Sequence, residues 1–448
     1  MDRSPFNIQQ MLALIVITII LFPLSARAEQ PQLSLAQAEA LAVKNSPALA
    51  ATAYQAKAMA AIPSQVGSLP DPSLDFKAIN LPVDSFSTSQ ENMTQLQFGF
   101  TQAIPFPGKL ALKAKAAEQM AQAALHNSKE FRLKLLSHVR IRWWNLIYLD
   151  HALAIVRRNQ ALLRNLVRIA ETKYKTGRGL QQDVLLAQME LSKLLEKELS
   201  ISTARIDQRA AFNALLGRSA ATPVMLISRR KLASRELATS LNFPDQLDIP
   251  SLKQMARRQR PMLAMMDAKL GAADARLALA NKGYYPDFKL GAAYGVRQGV
   301  NMATKRTRPD FASVMVSMTL PIYADHKQDK EIDQRTAERE ASNYSLQDAE
   351  IQVDAEIDAA AADLRISRDR VRLFRQGILP QARQTTASML AGYEVNKVDF
   401  LNLVRAQLNE FNMDIRYWQQ VSLAHQAEAR LLAAAGKDHW TKDGKKDE

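Results

Sequence analysis

The sequence predicts an α+β fold assembled twice over: a strand pair followed by two helices far longer than a domain is wide, then the same again. Three observations carry this. Landmark residues recur at nearly one offset along the 448-residue chain. Segments in each half alternate apolar and polar residues with period two, and the stretches after them repeat apolar residues every seven positions, the first of them without proline from Lys113 to Tyr174.

Composition narrows the class. Apolar residues make up 47% and charged residues 23%, ordinary for a folded chain and too hydrophobic for a disordered one. Cysteine is absent, which excludes a disulfide scaffold, a thiolate metal site, a cysteine nucleophile and a lipid-bearing cysteine. A net charge of +14 raises nucleic acid as a partner. The N-terminus redirects that reading: Arg3, the apolar run from Met11 to Leu24 and Ala26-Arg27-Ala28 stand in the order of a cleaved export signal over residues 1–28. The run is short for a spanning helix, which needs about 20 residues. An exported protein rarely meets nucleic acid, so no nucleic-acid partner is expected. No later segment is apolar for long enough to span a bilayer as a helix, so strands would have to do it.

The repeat is read from four landmarks. Leu69-Pro70-Asp71-Pro72 is echoed by Tyr285-Pro286-Asp287-Phe288, and Ile104-Pro105-Phe106 by Leu320-Pro321-Ile322, both at an offset of 216. Asn45-Ser46-Pro47 returns as Gln259-Arg260-Pro261. Tyr174-x-x-Gly177 with Leu186-Ala187-Gln188 returns as Tyr393-x-x-Asn396 with Arg405-Ala406-Gln407. The first unit is therefore 29–216 and the second 251–435. Residues 217–250, with several breakers and Arg229-Arg230-Lys231, connect them, and 436–448 form a polar tail.

Strand pairs are expected over about 73–102 and about 287–320. Leu96, Phe98 and Phe100 alternate with Gln97, Gly99 and Thr101; Leu290, Ala292 and Tyr294 alternate with Lys289, Gly291 and Ala293. In a membrane β-barrel Phe98, Leu290 and Tyr294 would meet lipid, and Gln97, Lys289 and Arg297 the wet lumen. The same alternation also suits a half-buried sheet of a soluble domain. Polar stretches at 81–92 and 299–309 would be outward loops.

Long helices are expected over about 113–216 and about 331–435. From Lys113 to Tyr174 the chain lacks proline, enough for a helix of about 90 Å. Ile141, Tyr148, Ile155, Leu162 and Ile169 form one seven-residue row and Val139, Leu146, Leu153 and Val167 another, so the helix has neighbours on two sides. In the second unit Val353, Ile357, Ala360, Leu364, Ser367, Val371, Phe374 and Ile378 alternate at steps of four and three. Such helices pack laterally in an array. Four strands per chain cannot close a membrane barrel, whose minimum is about eight, so edges must be shared between two or three chains.

The export signal, the repeat, the strand pairs with very long helices, and the Tyr174-x-x-Gly177 and Leu186-Ala187-Gln188 landmarks together resemble the TolC-like outer-membrane efflux family, over nearly all of 33–436. The resemblance implies a homotrimer, with one twelve-stranded barrel in outer-membrane lipid continued by a helical tunnel through the periplasm. It also implies partners: a periplasmic adaptor (membrane fusion protein) and an inner-membrane pump of the resistance-nodulation-division type. The run Ile104-Pro105-Phe106-Pro107-Gly108-Lys109 is similar to the branch serving heavy-metal cation exporters. Without a cysteine for lipidation, the barrel alone would anchor the chain. The same architecture serves drug efflux and type I protein secretion. From a different class, a periplasmic coiled-coil scaffold or adaptor without a pore stays open.

No grouping of residues reads as an enzyme, a cofactor site or a resident metal site. His126, His138 and His151 lie about two heptads apart on one helix, and Met262, Met265 and Met266 read as helix packing. The sites expected are the turns between paired helices, which the resemblance makes the periplasmic aperture: Tyr174 and Asp183 in the first unit, Tyr393, Asp399, Asn402 and Arg405 in the second. Asn402 and Arg405 stand where well-known members carry carboxylates, so Asp399 is the candidate substitute, and Asp183 or Asp399 is available to pair with Arg405. The plainer reading is that Asp183 and Asp399 cap helices.

Overall fold

The computed structural model describes residues 32–226, 247–301, 303–395 and 397–439. The expected export signal, residues 227–246 of the connection, Asn396 and the end of the tail lie outside them. Three helices come first: α1 (Leu35–Asn45), α2 (Pro47–Ala60) and α3 (Ile62–Gly67). Ser34 starts α1 through a reciprocal capping box with Gln37, and Ser46 caps α2 ahead of Pro47. Strands β1 (Ser73–Ile79) and β2 (Gln95–Ile104) follow, then α4 (Lys109–Lys175) and α5 (Gln181–Leu215). The second half holds α6 (Ile249–Gln259), α7 (Pro261–Asn281), β3 (Phe288–Val296), β4 (Phe311–Met318), α8 (Gln328–Leu373), a π turn at Phe374–Ile378, α9 (Leu379–Glu394) and α10 (Phe400–Ala434).

The short helices before each strand pair are an addition to what the sequence predicts. Helices α2 and α7 are rich in alanine and bury narrow faces, so they carry no wide apolar stripe; α2 and α3 lie along α4, and α7 bridges α4 and α8. Helix α4 starts directly after Pro107-Gly108 and runs 67 residues, about 100 Å. Among the described residues, no helix is long and apolar enough to cross a membrane.

Helices α4, α5, α8, α9 and α10 form a layer in the order α5, α4, α10, then α8 and α9. On α8 the expected seam is buried from Val353 through Ile357, Ala360, Leu364 and Ser367 to Val371. It stops there because the chain takes the π turn, which accommodates Pro380; in an unbroken α-helix that ring would strike the carbonyl four residues back. On the lower half of α4 Ile155 of the expected row is buried, but the continuous buried row is Leu149, Val156, Leu163 and Ala170, one residue on. One residue is a rotation of about 100°, so Leu162 and Ile169 stay 42% exposed.

Candidate functional site

The strands form one antiparallel sheet in the order β1-β2-β3-β4, so β1 and β4 are open edges. Register places Phe98 opposite both Phe76 and Tyr294, and Leu290 opposite Gln102 and Val316. Because side chains alternate across a pleated strand, this puts Leu74, Phe76, Phe98, Leu290, Tyr294 and Val314 on one face. The strands pack on one another and not against the helices, and the apolar face is bare: Leu74 is 84% exposed and Val314 85%. Gln97 and Lys289 lie on the opposite face with Asp75, Lys77 and Ser313. Arg297 falls just past β3, where its backbone N–H donates to Asp310 and its guanidinium lies 4.2 Å over Phe311. A contiguous apolar face of this size marks a surface that meets something apolar.

The helices leave the sheet at one end, through a tie between the two halves. The Asp287 carboxylate accepts from the Phe106 backbone N–H and from Lys109 Nζ, both at 2.8 Å, and Phe106 stacks on Tyr285 at 4.4 Å. Burial alone would raise the Asp287 carboxyl, but the Lys109 ammonium and the Phe106 N–H outweigh it and hold it below its ordinary value. A depressed carboxyl stabilises the fold above the unfolded-state value near 3.9 and loses that contribution as pH falls through its folded value. Asp287→Asn should therefore cost about 1 kcal/mol or less at pH 7, since the carboxylate is partly solvated. The gap to the parent should close below about pH 4, as read by thermal melts at both pH values.

At the far end of the helices, α4 stops in a Schellman motif: Arg178 N–H donates to Lys173 O at 2.8 Å and Gly177 N–H to Tyr174 O at 3.0 Å. Gly177 has φ +70°, the left-handed conformation that this stop requires. Across the tip, Lys173 Nζ donates to the Tyr393 carbonyl at 3.1 Å and sits 3.9 Å over the Tyr393 ring. Tyr393 is buried beside Phe400, and burial, then the Asp183 carboxylate, push its phenol above the ordinary value. Asp183 and Tyr393 are thus brought together, with Lys173 as a third member that sequence reasoning missed. Tyr174 is exposed. Asp399 caps α10, accepting from the backbone and side chain of Asn402 at 2.8 and 3.0 Å. Arg405 is exposed, and among the described residues no ion pair joins it to Asp183 or Asp399 within the chain.

Among the described residues no three His, Cys, Asp or Glu side chains gather to hold a metal. His151 stacks on Trp418 at 3.6 Å and His425 on Trp144 at 3.7 Å, while Met262 and Met266 pack against the core between α6, α8 and α10.

Comparison with known proteins agrees with this architecture. The chain is similar to the cobalt-zinc-cadmium resistance protein CzcC of Cupriavidus metallidurans, 22% identical over 340 residues that cover 75% of each chain. Its fold is similar to the outer-membrane channel OprN, with TM-score 0.74 and 15% identity over 90% of this chain and 89% of that one. CusC gives TM-score 0.73 and 16% identity over 90% and 92%. Residues 252–437 match the pattern of the family described as outer membrane efflux protein. A bare two-faced sheet set on helices of this length agrees with these likenesses and with the outer membrane efflux protein pattern that residues 252–437 carry.

Proposed function

We propose that the chain is the outer-membrane component of a tripartite efflux system: a homotrimer working with a periplasmic adaptor and a resistance-nodulation-division pump. The single observation that carries this is the sheet, apolar and bare on one face, polar on the other, and open at both edges. Three copies joined β4 to β1 close a twelve-stranded barrel without a free edge, lipid outside and water within. The helix layer is open at the matching flanks. Leu185, Met189, Leu199 and Ile206 form an exposed stripe on α5, and Tyr344, Ile351, Ile366 and Leu373 one on α8. A threefold rotation brings α8 of one copy onto α5 of the next, a head-to-tail contact that closes into a ring.

The same reading takes 29–216 and 251–435 as two repeated units joined by 217–250, reached through a cleaved signal at 1–28 and anchored without lipid. Heavy-metal cations are the cargo, supported by the likeness to CzcC and by the Ile104–Lys109 run. A conduit conducts best when it binds its cargo weakly. Tyr174, Asp183, Tyr393, Asp399, Asn402 and Arg405 line the aperture at the tip, and the Lys173–Tyr393 latch holds the two hairpins of each chain together there.

Purified protein in detergent should scatter light as a trimer and insert into planar bilayers as a channel of small conductance. Lys173→Ala with Asp183→Ala should raise that conductance several-fold with the trimer intact. A monomer without channel activity would overturn the assembly, and an unchanged conductance would move the constriction away from the tip. Deleting the gene should lower tolerance to divalent cobalt, zinc or cadmium; unchanged tolerance to all three would refute the cargo.

A further inference from the structure

The strand ends away from the helices carry two connections, 80–94 and 297–310, which belong to different strand pairs. Each is closed on itself. In the first, Thr94 is fully buried and its hydroxyl donates to Asn80 O at 2.6 Å, while Asn80 Nδ2 donates back to Met93 O at 3.3 Å. In the second, Asn301 N–H donates to Arg306 O at 2.8 Å and Arg308 N–H to Gly299 O at 3.2 Å, so it continues as a small hairpin.

Arg308 fastens the two together. Its side chain is an arginine in an outer loop, yet the residue is only 8% exposed. Nη1 donates to Gln298 O at 3.0 Å in its own connection and to Ser89 O at 3.1 Å and Glu91 O at 2.9 Å in the other. Gly299 makes the room. It has φ +97°, and a Cβ there would stand 3.2 Å from both Arg308 Nη1 and Ser89 O. Arg297 repeats the link lower down, donating to Asn92 O and Pro309 O, and Thr88 Oγ1 donates to Gln298 Oε1 at 2.6 Å. Carbonyls of an irregular segment need donors when water is excluded, and here one buried guanidinium supplies the donors for two segments more than two hundred residues apart in sequence.

We propose that Arg308 is the positioning residue of the outward mouth: it fuses both connections of each chain into a rigid collar, so that the mouth is held open and passage is controlled at the other end. This rests on the barrel reading above. The collar predicts that the two connections keep one separation while the channel conducts.

The chain has no native cysteine, so Thr88→Cys with Gln298→Cys takes spin labels at those two positions alone. Dipolar line broadening in trimers carrying one doubly labelled chain among unlabelled ones should give a single narrow distance distribution, and adding Arg308→Ala should broaden it. In planar bilayers Arg308→Ala should raise open-channel current noise several-fold at unchanged trimer content. A short bis-maleimide linking 88 and 298 in the Arg308→Ala chain should return the noise to the parent level. A broad distribution with Arg308 in place, or parent-like noise from Arg308→Ala channels, would overturn the collar. If Arg308→Ala fails to assemble, the distribution in the Arg308 chain still decides. Absence of channels from the unsubstituted protein would overturn the barrel reading instead, with the label distances still reporting on the collar.

Discussion

Leu290→Arg should empty the outer membrane of assembled trimer. Leu290 lies in β3 on the apolar face, opposite Val316 on one side and Gln102 on the other. Leu290 is 45% exposed and Val316 beside it 64%, so a charge placed there faces outward from the sheet. Arginine on the lipid face of a membrane barrel costs about 2–4 kcal/mol near the midplane and less toward the interfaces. A trimer bears that cost in every copy, against a stability of about 5–15 kcal/mol for an ordinary domain. Val314→Arg should do more, because Val314 pairs with Ala292 at the centre of β3. Lys289→Ser, one residue from Leu290 and on the opposite face, should assemble as the parent does. The measurement is the amount of heat-resistant trimer in outer-membrane fractions by gel mobility. Normal trimer from Leu290→Arg with loss from Lys289→Ser would reverse the two faces of the sheet.

Arg260→Ala should destabilise the helical body by about 3–5 kcal/mol, the usual cost of stranding one partner of a buried ion pair. Arg260 stands at the start of α7 with its side chain 2% exposed, and Glu130 of α4 beside it is 6% exposed. The guanidinium binds Glu130 through two nitrogens, at 3.0 and 3.2 Å. Its third nitrogen donates to Ala434 O at 2.9 Å, at the end of α10, and reaches Glu356 of α8 at 3.1 Å. One side chain thus joins four helices from both halves of the chain. Its removal leaves the Glu130 carboxylate buried with only Lys134, 3.4 Å away, for company. Arg260→Met with Glu130→Leu should recover most of the loss, since replacing both partners by apolar groups of similar size is often neutral or better. Thermal melts of the two variants decide: equal loss in both would mean that the charge pair is not what Arg260 contributes.

Much of the candidate site is legible in the sequence because it is written in local periods. Phe98 and Gln97 fall on opposite faces by alternation alone, and the stop after Tyr174 follows from a glycine that can adopt a left-handed φ. The seam of α8 from Val353 to Val371 is read directly from its spacing, and it ends early because a π turn around Pro380 breaks the count. The alanine-rich helices α2 and α7 are not legible in the same way. Their buried faces are one or two alanines wide, too weak a pattern to stand out from the long helices beside them.

The sequence by itself therefore determines the parts: an α+β chain, strands with one apolar face, helices too long for a compact domain, and turns at their ends. It does so because helix and strand periods and turn residues act over a few positions along the chain. Only the tertiary structure decides how the parts meet: that β2 pairs with β3, that Asp287 holds Phe106 and Lys109, that Lys173 covers Tyr393, and that Arg308 ties the halves beyond the strands and Arg260 within the helical body. These contacts join residues more than one hundred positions apart, and no local pattern in either partner encodes the other. Their register comes from packing the two halves side by side, where a buried charge or carbonyl is stable only if its partner arrives from elsewhere in the chain.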